Sequence, residues 1–93
     1  MIRTFKDSRT ATIFAEQFVK GVPQDVCRRA LHQLRKIDAA TGVDDLRLPP
    51  GNRLEKLSGE RRGQYSIRVN RQWRICFRWR DDGAYDVEFV DYH

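Results

Sequence analysis

Aspartate, tyrosine and histidine stand side by side at Asp91, Tyr92 and His93, where the chain stops. A carboxylate, a phenol and an imidazole at one place can accept, relay and donate protons. His93 is the natural proton-transfer group, because an unperturbed imidazole titrates near pH ~6.5. As the last residue it also carries an α-carboxylate, which favours the imidazolium and an acid role. Tyr92 can orient a substrate or pass a proton, and Asp91 can orient His93 or a neighbouring arginine. In a regular strand Asp91 and Tyr92 face opposite sides, so only one of them acts directly. Pattern alone also fits a frayed tail with a solvated histidine, the commoner fate of a chain end.

A second chemical signal lies just upstream. Residues 53–80 hold nine basic and two acidic side chains, whereas 81–93 hold five acidic and no basic ones. Eight of those nine bases are arginine, with Lys56 the exception. Solubility alone does not demand arginine, but its planar fork grips phosphate and stacks on bases. This block is where a polyanion would bind, with Arg53, Lys56, Arg68, Arg74 and Arg78 as the phosphate candidates. Arg61, Arg62 and Arg71 sit at turns and read equally well as solvated. Cleaving RNA requires that a 2′-hydroxyl lose a proton, that charge on the phosphorus oxygens be stabilised, and that the 5′-oxygen gain a proton. A cationic face beside Asp91, Tyr92 and His93 supplies those functions without a metal.

The elements that must position these groups follow from periodicity. Ile2–Phe5 alternates as a short first strand. Asp7 or Ser8 caps a helix that sets Ile13, Phe14 and Phe18 on one face and stops at Gly21. A second helix over 23–39 starts at Pro23 and carries an apolar stripe of Val26, Cys27, Ala30, Leu31, Leu34 and Ile37. Pro49, Pro50 and Gly51 make the segment 43–53 a fixed loop. Strands follow in RLEKL, QYSIRV, WRICFRW and AYDVEFVDY, separated by the turns SGERRG and DDG. Trp73, Ile75, Phe77 and Trp79 share one face of the third of these, so Arg74 and Arg78, and by the same alternation Arg68, share the other. The order predicts an α+β fold with two helices on one face of a small antiparallel meander, leaving a cationic face uncovered.

Ninety-three residues, 40% hydrophobic and 33% charged, fit a single folded domain spanning 1–93. No apolar run reaches membrane-spanning length, and the start lacks the apolar core of a secretory signal, which predicts a cytoplasmic protein. Cys27 and Cys76 lack metal-type spacing and read as small buried groups rather than a disulfide. No phosphate-cradling glycine loop is present, so no nucleotide cofactor is expected. A basic recognition helix for duplex DNA is also missing, because the helix over 23–39 spends its best face on the sheet. Single-stranded RNA laid across the open sheet is the better match.

The stretch PPGNRLEKLSGERRGQYSIRVNRQWRICFRW, followed by VEFVDYH, resembles the HigB toxins of the RelE/ParE toxin-antitoxin superfamily, and the likeness runs over nearly the whole chain. The resemblance implies a RelE-like, microbial-ribonuclease type of fold and a ribosome-dependent endoribonuclease that cuts translated mRNA. It also implies a HigA-like helix-turn-helix antitoxin as partner. The family's terminal aspartate, tyrosine and histidine fall on Asp91, Tyr92 and His93. Where some members carry a histidine after the loop, this chain has Glu55, which either takes over as general base or leaves a weaker enzyme. His32 matches no active-site position of the family and reads as a surface residue. A ParE-like toxin that inhibits gyrase without catalysis, and a plain RNA-binding module, are the competing readings.

Overall fold

The computed structural model describes residues 1–92. Its helices are α1 (Ser8–Phe14) and α2 (Gln24–Ala39), and its sheet is β1 (Glu55–Lys56), β2 (Tyr65–Arg68), β3 (Trp73–Arg80) and β4 (Gly83–Asp91). The strands form an antiparallel meander in the order β1-β2-β3-β4. Both helices cover one face. The α2 stripe of Val26, Cys27, Ala30, Leu34 and Ile37 packs with Ile67, Ile75, Phe77, Val87 and Phe89 in one core. That arrangement follows from the two periodicities, 3.6 on the helix and 2 on the strands. Fully burying each such aliphatic or phenyl side chain stabilises by about 1.5–3 kcal/mol.

Three local readings need correction. α1 ends at Phe14, because Glu16 takes a left-handed φ of 65° and Ala15 closes the last turn. Phe18 therefore leaves the helix face and is exposed, and Gly21 turns the chain a few residues after the helix has stopped. Ile2–Phe5 does not form a full strand: it runs parallel to β4 with only two isolated bridges, Ile2 to Ala84 and Phe5 to Val87. Between those bridges β4 bulges at Asp86, whose φ is +53°, and Thr4 bonds the Asp86 N–H through its hydroxyl instead of its backbone. Pro23 caps α2 from outside its first turn.

β4 is held where α1 meets it. Asp7 caps α1 by accepting from the Thr10 N–H at 2.8 Å. The buried Thr10 hydroxyl donates to the same carboxylate at 2.6 Å and accepts from the Phe89 N–H at 2.9 Å. Arg9 donates to the Phe89 carbonyl and lies over the stacked rings of Trp73 and Phe89. One helical turn thereby fixes the strand that leads to Asp91.

The loop before β1 is fixed, as its prolines predict, and Asn52 is its keystone. Asn52 is buried, donates to the Leu46 and Leu48 carbonyls, and accepts from Gln33 and Lys36 of α2. Asn52→Ala leaves the Leu46 and Leu48 carbonyls and the Lys36 ammonium without this partner, while Gln33 keeps the Arg68 carbonyl, and a loss of about 2–4 kcal/mol is expected. Urea unfolding measures it; a change below about 0.5 kcal/mol, the range of an unremarkable surface substitution, would show that the loop does not depend on this side chain.

Candidate active site

Arg74 is the centre of the candidate site, and it is not the freely projecting arginine that alternation predicts. Its side chain is 10% exposed, beside a Glu55 side chain that is 53% exposed. Its Nε donates to the Ser66 hydroxyl at 2.8 Å, and its Nη2 donates to the Arg53 carbonyl at 2.6 Å. Arg53 can offer that carbonyl because it ends the Pro50–Asn52 turn with a left-handed φ of 46°. The same Nη2 lies 3.9 Å from Glu55 Oε1. The guanidinium carbon lies 5.7 Å from the centre of the Tyr92 ring. Glu55, Arg74 and Tyr92 thus meet at one end of the open sheet face.

Strand register explains who joins them. Asp91 pairs with Trp73 and Val90 with Arg74. Asp91 therefore belongs to the helix-covered side, and Tyr92, one residue on, to the side of Arg74. Asp91 accepts from Gln72 Nε2 at 3.0 Å, and the Tyr92 N–H donates to the Gln72 carbonyl at 2.8 Å. The β2–β3 turn thereby holds the chain through Tyr92. His93 lies outside the described residues. Gln72 and Ser66 went unnoticed in the sequence; Ser66 could have been found, since it shares the alternation of Arg68 and Arg74.

The phosphate candidates separate. Arg68 pairs directly opposite Arg74, so the two share a face. Lys56 pairs with Tyr65 and so is turned to the other side from Glu55. Arg53 is exposed and contributes its backbone to Arg74. Arg78 sits four residues beyond Arg74 on β3, about 13 Å along the strand at ~3.3 Å per residue. It pairs with the bulged Asp86 at 3.7 Å.

The uncovered face is also less cationic than expected. Arg61 binds Glu88 at 3.1 Å, so Arg61, Arg74 and Arg78 each have a carboxylate partner. Burial opposes the charge of Arg61, but its hydrogen bond to Glu88 and the charge of that carboxylate work the other way, and its pKa is raised. Beneath them Leu57, Cys76 and Val90 form a small second apolar cluster. Burial pushes the Cys76 thiol up, against the pull of Arg61 and Arg74, so Cys76 is a neutral packing group rather than a nucleophile.

The fold is thus a two-helix layer on a four-stranded antiparallel meander, with an arginine clamped at the sheet end beside a tyrosine. Over its full length the fold matches the YoeB–YefM complex from Staphylococcus aureus, with a TM-score of 0.63, 20% identity and 95% of that chain covered. Residues 3–93 match the family described as the RelE-like toxin of the type II toxin-antitoxin system HigB. The chain belongs to this HigB-like toxin family, and its partner is accordingly an antitoxin. It is 42% identical to Toxin HigB-1 of Vibrio cholerae, with all of this chain and 98% of that protein covered. It is 34% identical to Endoribonuclease HigB of Proteus vulgaris, with both chains covered completely.

Proposed function

We propose that this toxin is a ribosome-dependent endoribonuclease, a single domain over 1–93, that cuts translated mRNA in the cytoplasm by acid-base chemistry. The observation that carries the reading is the clamped Arg74 guanidinium between the Tyr92 ring and the Glu55 carboxylate. Two arginines directly opposite on neighbouring strands, Arg68 and Arg74, repel each other, and such a pairing is worth keeping where an anion sits between them. In this mechanism Glu55 takes the proton of the attacking 2′-hydroxyl. Arg74, its Nε and Nη2 already committed to the protein, turns Nη1 toward the phosphorus oxygens as charge builds. Tyr92, its ring against the guanidinium, orients the substrate, and His93 returns a proton to the departing 5′-oxygen. The relative from Proteus vulgaris, named an endoribonuclease, supports the reading; a gyrase-directed activity gains no support from these relatives. The antitoxin is then a HigA-like helix-turn-helix protein.

Mapping of 5′ ends on mRNA in programmed ribosomes tests this directly. The wild-type chain is expected to yield discrete cuts, and Glu55→Gln to make the same cuts about 100-fold more slowly, the usual loss for a general base. Intact mRNA with the wild type would refute the activity. Unchanged cutting by Glu55→Gln would refute only the role of Glu55.

A further inference from the structure

Away from Arg74 a basic cleft of about 440 Å³ lies between α2, the loop at Pro49–Asn52 and the end of β2. Arg28, Arg29, His32, Lys36 and Arg68 line it, and none of its described lining residues is acidic. His32 is exposed, as expected of a surface residue, and it lines this basic hollow. The floor is rigid: Gln33, itself buried, donates to the Arg68 carbonyl at 2.7 Å and to Asn52 Oδ1 at 3.2 Å. Lys36 donates to the same Asn52 oxygen at 3.1 Å, which holds its ammonium in the cleft wall. Cations concentrated in a concavity without carboxylates are an anion site, in contrast to the open sheet face, where Arg61, Arg74 and Arg78 are paired.

The cleft is not isolated from the candidate active site. A second hollow of about 460 Å³ shares Arg29 and Arg68 with it and continues over Arg71 to Gln72. Gln72 is the residue that holds Asp91 and Tyr92. A basic path therefore runs from α2 around the β2–β3 turn to the end of β4. We propose that this path carries the phosphates of the RNA strand being cut, so that the α2 cleft is a remote subsite gripping the message several nucleotides from the scissile bond. Continuity with the active site favours the cleaved strand over a separate RNA or an acidic peptide. The inference rests on the endoribonuclease reading.

The test compares wild type with Arg28→Glu/Arg29→Glu, both exposed on α2, on programmed ribosomes carrying either a long message or messages truncated on each side of the cut. Folding of the variant is checked by urea unfolding. On the long message the variant should raise KM about tenfold with kcat unchanged, since it removes phosphate contacts remote from the chemistry. On the message shortened on the side that reaches the cleft, the wild type should lose the same factor and the variant should no longer differ. An equal defect on every message would assign the cleft to ribosomal RNA and overturn the proposal. Normal cutting combined with resistance to the antitoxin would assign it to an acidic partner segment, and normal behaviour in both assays would leave no site at all. A wild-type chain that cuts nothing would instead bring down the endoribonuclease reading itself.

Discussion

Arg74→Lys is expected to cut mRNA on programmed ribosomes about 100-fold more slowly than wild type, and Arg74→Met about 1,000-fold, the range found when a donor to developing oxyanion charge is removed. Lysine keeps the charge but not the fork. The guanidinium reaches the Ser66 hydroxyl through Nε and the Arg53 carbonyl through Nη2, two acceptors on different segments that a single ammonium cannot span while also facing substrate. The same bonds hold the Pro50–Asn52 turn to the sheet, so both variants should lose stability as well, by about 1.5–3 kcal/mol for each charged hydrogen bond removed. The two effects separate by experiment. Urea unfolding fixes the folded fraction, and rates are compared per folded molecule. Ser66→Ala adds a control: it frees Nε but keeps the guanidinium, and its kcat should fall about tenfold while KM stays, as for a positioning residue. A folded Arg74→Lys chain cutting within about threefold of wild type, less than 1 kcal/mol in barrier, would take this guanidinium out of the chemistry.

Why Arg74 could be singled out in the sequence, and its surroundings could not, comes down to the range of the interactions. The division of β3 into an apolar face of Trp73, Ile75 and Phe77 and an opposite face of Arg74, Cys76 and Arg78 needs only the pleat, and it holds. The α2 stripe needs only the helical period, and Leu34, Ile37 and Ala30 are fully buried. What failed depends on register and on single dihedral angles. The pairing of Arg61 with Glu88 joins residues 27 apart, and that of Arg78 with Asp86 depends on a bulge. Nothing in the local pattern announces that bulge. Likewise nothing local in the sequence shows that Arg53, read there as a cation for phosphate, also turns a backbone carbonyl toward Arg74. Such contacts determine whether a basic strand face is open or internally neutralised, and only the folded arrangement shows it.

His93→Gln should lower cleavage by a factor of about 100 to 10,000, the usual contribution of a positioned general acid or base, with stability within about 0.5 kcal/mol of wild type. Glutamine keeps a hydrogen-bonding side chain and loses only the titrating nitrogen, so a large effect isolates proton transfer from binding. The described residues show why an imidazole one position beyond Tyr92 is worth this prediction. Tyr92 is tied by its backbone to Gln72, its ring lies against Arg74, and β4 is anchored through Phe89 to Thr10 and Arg9. Tyr92→Phe is the companion variant. It keeps the ring over Arg74, and a loss of less than about tenfold, one lost hydrogen bond, is expected if the phenol only orients the substrate. If Tyr92→Phe instead shows the loss of about 100-fold or more expected of His93→Gln, while His93→Gln retains most of its activity, the phenol and not the imidazole is the proton donor. The acid would then sit on the Arg74 side, one residue past the end of β4.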